Sequence, residues 1–250
     1  MSLWTRKLLR KVPEVTLFFW IIKLLSTALG ESTSDYLVNA YNPYVVVISG
    51  FCCFVIILVT QLMTRRYIPW LYWLTIVMVA VFGTMAADVI HVALGVPYLI
   101  STVAFLLVLG SIFMVWVKIE KTLSIHSITT TRRELFYWAT VSATFALGTA
   151  AGDLLAYTAH LGFLDAGIVF AIIFVIPAIG YKFLGWNAIA SFWFAYILTR
   201  PLGASFADWT GKAIGVGGLG IGDGPVVAVL LLAIVILVAR LQITHEDVEN

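Results

Sequence analysis

The stretch Phe19-Trp20-Ile21-Ile22-Lys23-Leu24-Leu25-Ser26-Thr27-Ala28-Leu29-Gly30-Glu31-Ser32-Thr33-Ser34-Asp35 decides how the chain must be read. Its first half is mostly apolar, its second half is small and polar, and the same plan recurs without a gap at 72–88, 137–153 and 192–208. The copies open with Phe19-Trp20, Tyr72-Trp73, Tyr137-Trp138 and Phe192-Trp193. Ten residues after each Trp stands a glycine, Gly30, Gly83, Gly148 and Gly203, and five residues later an aspartate, Asp35, Asp88, Asp153 and Asp208. Four ungapped coincidences of Trp, Gly and Asp are not a chance event in a chain with nine Trp. Each copy is followed by a second, plainer apolar run, so the sequence is four tandem helical hairpins.

The surrounding composition says where such hairpins live. With 62% hydrophobic and 11% charged residues in 250, there is too little polar surface to coat a soluble domain. Apolar runs near 13–35, 43–63, 68–92, 97–117, 134–157, 163–184, 187–209 and 225–241 are each long enough to cross a bilayer of about 30 Å. They are continuous, whereas barrel strands would be shorter and alternating. The expected fold is all-α: one polytopic membrane domain over 1–250, with eight transmembrane helices in four parallel two-helix repeats, about 13–66, 67–120, 132–184 and 187–241, arranged with pseudo-fourfold symmetry. The adjacent Cys52 and Cys53 exclude a structural disulfide network. A net charge of +2 is too small to imply nucleic acid, and the first apolar run is long enough to remain as a span after any basic leader.

Orientation follows from lysine and arginine placement. Arg6, Lys7, Arg10, Lys11, Arg65, Arg66, Lys118, Lys121, Arg132, Arg133, Lys182 and Arg240 all fall on one face, and Lys212 alone falls opposite. Both termini are therefore expected in the cytoplasm, with His245 to Asn250 as a solvated tail. The four hairpins resemble a bacterial integral-membrane family defined by four tandem repeats of unknown function, each with two transmembrane stretches and a characteristic Trp. The resemblance covers about 13–241 and implies the fold and a place in the bacterial inner membrane. It brings no activity.

The repeated residues must then speak for themselves. Trp20, Trp73, Trp138 and Trp193 follow the basic segments closely and read as an interfacial aromatic belt or as packing anchors. Gly30, Gly83, Gly148 and Gly203, among small neighbours such as Ala28, Ala86, Ala151 and Ala207, make the first helix of each hairpin the inner, closely packed one. The aspartates lie near the outer ends of these helices, and four residues earlier stand Glu31, Thr84, Thr149 and Ala204 on the same face. Acids at membrane depth are costly unless paired, hydrated or bound to a cation, and no local base is evident. A proton or a divalent metal is the expected partner, with Asp35, Asp88, Asp153, Asp208, Glu31, Thr84 and Thr149 along its path and Arg200 tuning it. Asp88 with His91 and Asp153 with His160 are the expected candidate metal ligands, which would widen the choice toward transition metals.

Two charges break the repeat, and since they fall in the first and last hairpins, an ion pair from Arg200 to Glu31 or Asp35 is expected to seal the ring. Pro201 should disturb its helix nearby. Lys23 is expected to snorkel to the cytoplasmic side, Gly215 to Gly224 to form a flexible outer loop, and His126 and His245 to be solvated. No nucleophile with a base, haem signature or dinucleotide fingerprint is present, so an enzyme is not expected. The functional expectation is a channel or carrier for a small inorganic cation, with lipid as the only other partner. The alternative is a membrane scaffold or binding protein whose repeat features serve packing alone.

Overall fold

A computed structural model describes residues 11–247. Arg6, Lys7, Arg10 and the tail beyond Asp247 lie outside the described residues. Among those described there is no strand, and eight long helices follow one another: α1 (Leu17–Ala40), α2 (Pro43–Met63), α3 (Pro69–Asp88), α4 (Tyr98–Glu120), α5 (Thr131–Asp153), α6 (Gly162–Phe183), α7 (Ala188–Gly211) and α8 (Asp223–Thr244). Their starts carry the usual chemistry. Asn42 Oδ1 accepts from Tyr44 N at 3.0 Å ahead of Pro43, and Asn187 Oδ1 accepts from Ile189 N at 2.9 Å, each satisfying amides that the helix cannot.

The protein is a polytopic all-α membrane protein, but its helices are not alike. Six of them, α2 to α6 and α8, are long and apolar enough to cross a membrane by composition alone. The 24-residue helices α1 and α7 are long enough but too polar, because α1 carries Lys23, Glu31 and Asp35 and α7 carries Arg200 and Asp208. Their polarity is tolerated because protein, not lipid, surrounds them. The outer helix α2 buries only 11% of its apolar stretch, whereas α5 buries 61%.

Helices α1, α3, α5 and α7 touch in cyclic order, each packing on the next and α7 returning to α1. The repeat glycines are the contact points. A β-carbon at Gly30 would lie 2.8 Å from the Ala80 carbonyl carbon, at Gly83 2.9 Å from Phe145 Cβ, at Gly148 2.6 Å from Arg200 Cβ and at Gly203 2.9 Å from Thr27 Cβ. Thr27, Ala80, Phe145 and Arg200 are themselves one repeat position, so a single contact is made four times and closes on itself. Bilayer helices gain no hydrophobic advantage by leaving lipid, and close backbone approach of this kind is what holds them together. Thr27 Oγ1 also donates to Thr199 O at 3.0 Å across the α1–α7 seam.

The outer helices exchange partners. α2 packs chiefly on α3, α4 on α5, α6 on α7 and α8 on α1, so each covers the inner helix of the following hairpin more than that of its own. The ring is thereby laced together by every connection at the lysine- and arginine-rich end. Glu14 N to Asp247 O at 2.9 Å and Lys11 N to Ile128 O at 3.2 Å bring both described ends there. The described part of the tail is not simply solvated: Asp247 is buried and accepts from Tyr67 Oη at 2.5 Å, while His245 is exposed.

Candidate functional site

Because residues four apart share a helix face, the aligned inner helices build the axis in layers about 6 Å apart. At the basic end lie Phe19, Tyr72, Tyr137 and Phe192, then Lys23, Ile76, Val141 and Tyr196, then Thr27, Ala80, Phe145 and Arg200. Above them come Glu31, Thr84, Thr149 and Ala204, and at the far end Asp35, Asp88, Asp153 and Asp208. The lower layers are closed. Tyr72 and Tyr137 are fully buried, hydrogen bonded hydroxyl to hydroxyl, and Tyr196 packs on Phe19 with ring centroids 6.4 Å apart. Above this aromatic floor the axis is polar.

Arg200 is the keystone of the polar part. The two N–H groups of its Nη2 are shared among Glu31 Oε2, Thr84 Oγ1 and, at 2.9 Å, Thr149 Oγ1, so all four repeats meet at one guanidinium nitrogen. Thr84 and Thr149 hydroxyls approach the carbonyls of Ala80 and Phe145 at 3.0 Å, which turns their lone pairs toward the axis. The expected ion pair between Arg200 and Glu31 is thus present, with both groups buried. Pro201 sits inside α7, which continues through it as helix.

At the mouth, the expectation that the acids have no local base is corrected by Lys212. Its ammonium pairs with Asp35 and lies 3.8 Å from Asp208 Oδ1. Burial opposes the charge on Lys212, but the Asp35 and Asp208 carboxylates outweigh it and hold the ammonium above the ordinary lysine range. The lysine is aimed by the glycine-rich segment, which is ordered rather than loose. Leu219 N donates to Trp209 O at 2.7 Å, Gly220 N to Lys212 O at 2.9 Å and Gly222 N to Gly211 O at 3.1 Å, so this segment folds back along the end of α7. Gly217 and Gly222, with φ of 94° and 88°, supply the left-handed backbone that this return requires.

Asp88 and Asp153 differ from the other two acids. Both are half-buried and within electrostatic range of Glu31 and of each other, yet among the described residues neither has a hydrogen-bond or ion-pair partner. Directly after each, the helix widens into a π segment, Val89–Ala93 and Leu154–Thr158, which repeats 1 and 4 lack. These segments carry His91 and Tyr157 to the rim, where Tyr98 packs on both, at centroid distances of 4.3 Å and 6.0 Å. Single π turns of this kind recur at functional sites.

Other expectations are revised here. Trp73, Trp138 and Trp193 are buried, so they are packing anchors, not a lipid-facing belt; Trp193 Nε1 donates to Leu123 O at 2.9 Å. Trp20 alone is half-exposed. Lys23 does not snorkel: at 1% exposure it points into the bundle, 4.0 Å from the Phe145 ring centre and 4.2 Å from that of Tyr196. The metal set of Asp88, His91, Asp153 and His160 is not assembled. Among the described residues the acids and histidines close enough to share an ion, with ligand atoms within 4.8 Å, are Glu31, Asp35 and Asp208. His91 instead faces Val96 O at 3.2 Å and His160 is exposed. A second polar centre at the basic end was missed by sequence reading: buried Glu134 accepts from Lys11 Nζ at 2.5 Å and from Gln61 Nε2 at 3.1 Å.

The family model for a Repeat of Unknown Function (DUF347) matches the chain four times, at residues 18–67, 71–122, 136–185 and 191–246. The chain belongs to this repeat family. No curated protein and no solved structure matches it. Each DUF347 repeat of this chain therefore contributes one inner helix with its Trp, Gly and Asp, and one outer helix that covers the next repeat. The family assignment carries the architecture; the chemistry rests on the axial residues alone.

Proposed function

We propose that this protein is a membrane transport protein that binds a small cation, a proton or a divalent metal ion, in the acidic cup formed by Asp35, Asp88, Asp153, Asp208 and Glu31. The observation that carries the reading is that Asp88 and Asp153 face this cup with no protein partner among the described residues, beside a set whose other acids are matched to Arg200 and Lys212. Five carboxylates meet two cationic side chains, and at this depth the remaining negative charge calls for a mobile positive one. Half-buried carboxylates with free oxygens suit protons and hard divalent ions.

The aromatic floor favours a carrier over an open channel, since Tyr72, Tyr137, Phe19 and Tyr196 fill the axis below the cup. Lys212 supports the same reading: an ammonium already bridging Asp35 and Asp208 is a tethered competitor that an entering ion must displace. The positive-inside rule supports a reading in which the basic end faces the cytoplasm of a bacterium and the acidic cup faces outward. The scaffold alternative draws on the repeat glycines and tryptophans, all of which are used in packing, but it gives no role to Asp88 and Asp153, which have no partner among the described residues.

The test is flux. Purified protein in liposomes, assayed with a pH-sensitive dye and a panel of Mg²⁺, Mn²⁺, Ca²⁺ and Zn²⁺, should move at least one of these ions at a rate above empty vesicles. Tight vesicles across the whole panel, in either direction of the imposed gradient, would rule the transport reading out.

A further inference from the structure

One and two layers below Glu31, Arg200 and Lys23 are buried where the other repeats carry no charge. Lys23 aligns with Ile76, Val141 and Tyr196, and Arg200 with Thr27, Ala80 and Phe145. Both are 1% exposed. Arg200 spends its Nη2 on Glu31, Thr84 and Thr149, whereas its Nε and Nη1 are buried without a hydrogen-bond partner. Lys23 has no acceptor or carboxylate among the described residues, only the faces of Phe145 and Tyr196. The same Phe145 ring has the Arg200 Cζ 5.7 Å from its centre. Two cations therefore share one aromatic neighbour, and Glu31 neutralises only one of them.

A buried, unpaired charge costs several kcal/mol, a ring face returns about 2 kcal/mol at best, and a lysine left without a counter-ion escapes the rest only by giving up its proton. Orphaned guanidinium nitrogens add to that cost. One negative charge held near their shared Phe145 neighbour would lower both costs, as an acceptor for an orphaned guanidinium nitrogen and a counter-charge for Lys23.

We propose that Lys23 and Arg200 form a binding site for a small singly charged anion, a halide or a carboxylate group, at the base of the acidic cup. Arg200 then links two sites, holding Glu31 with one nitrogen and the anion with the others. Entry of the anion is coupled to a cation above it, since the acidic mouth repels a lone anion.

The experiment is a thermal-unfolding titration of the purified protein in neutral detergent, with bromide and acetate as probes at constant ionic strength against a bulky sulfonate such as morpholinoethanesulfonate. Saturable rises in the unfolding midpoint are expected, and the stronger of the two probes identifies the ligand as inorganic or as a carboxylate. Lys23→Met should start with a higher midpoint than the parent, because it removes the unpaired charge, and should lose at least ten-fold in apparent anion affinity. Lys23→Arg should retain binding. Crystals soaked in bromide should give an anomalous peak between the two side chains. Equal or absent stabilisation in parent and Lys23→Met, or a bromide peak elsewhere only, overturns the proposal. This readout needs no flux, so it stands or falls apart from the transport reading.

Discussion

Repeats 1 and 4 and repeats 2 and 3 share one scaffold and do different work on it. The outer pair carries the charges, Lys23, Glu31, Arg200 and Lys212, and its two aspartates are tied to Lys212. The inner pair carries threonines at the Glu31 position, leaves Asp88 and Asp153 without hydrogen-bond or ion-pair partners among the described residues, and breaks its helices into π turns just beyond them. Duplication set the same acid at the same depth four times. Divergence then tied two copies to Lys212 at the α7–α1 seam and left the other two, among the described residues, without a hydrogen-bond or ion-pair partner.

The strongest way to break that division is to unpair the seam. Glu31→Gln leaves Arg200 buried beside neutral oxygens and should cost about 3–5 kcal/mol of stability, the range for removing one partner of a buried pair. Thermal unfolding in detergent will show it. Glu31→Gln combined with Arg200→Met should recover most of that loss, and failure of the double variant to recover would mean that the seam depends on something other than this pair.

A smaller effect is expected from the packing that both halves share. Gly203→Ala brings a methyl against Thr27 and Gly148→Ala brings one against Arg200, each costing about 1–3 kcal/mol as overpacking does. The two should be similar if the ring has one repeated contact. A large loss at one and none at the other would show the fourfold arrangement to be unequal.

Smaller still is the contribution of Lys212. Lys212→Met frees Asp35 and Asp208 and should change stability by about 1 kcal/mol or less, as for a partly exposed pair, while strengthening competition by external divalent ions at the cup. Weaker ion competition in this variant would mean that the lysine recruits ions instead of standing in for one.

Much of this was legible in the sequence, and the reasons for what was not are physical. The repeat fixes inner and outer helices because Gly recurs at one position and lipid-facing runs at another. Glu31 and Arg200 were readable as a pair because each interrupts the repeat and the ends of a closed ring are neighbours. Lys23 carried a signal that hydropathy hides, since it shares the four-residue stripe of Phe19, Thr27 and Glu31 and so faces the axis; length alone suggested snorkelling. Lys212 was hidden because it follows α7 and is turned inward by hydrogen bonds of the glycine segment, a folding-back that no periodicity records. The pairing of each outer helix with the next repeat is likewise invisible, because both partners are equally apolar. The histidines were misjudged because sequence nearness to an aspartate ignored the π turn that carries His91 toward Val96 and Tyr98.

The most direct measurement compares Asp88→Asn/Asp153→Asn with the parent in liposomes, monitoring folding by thermal unfolding and ion flux in the same preparations. Two acids without partners among the described residues should change stability by no more than about 0.5 kcal/mol each, while flux falls at least ten-fold. Unchanged flux in a well-folded double variant would contradict the assignment of Asp88 and Asp153 as the ion's ligands.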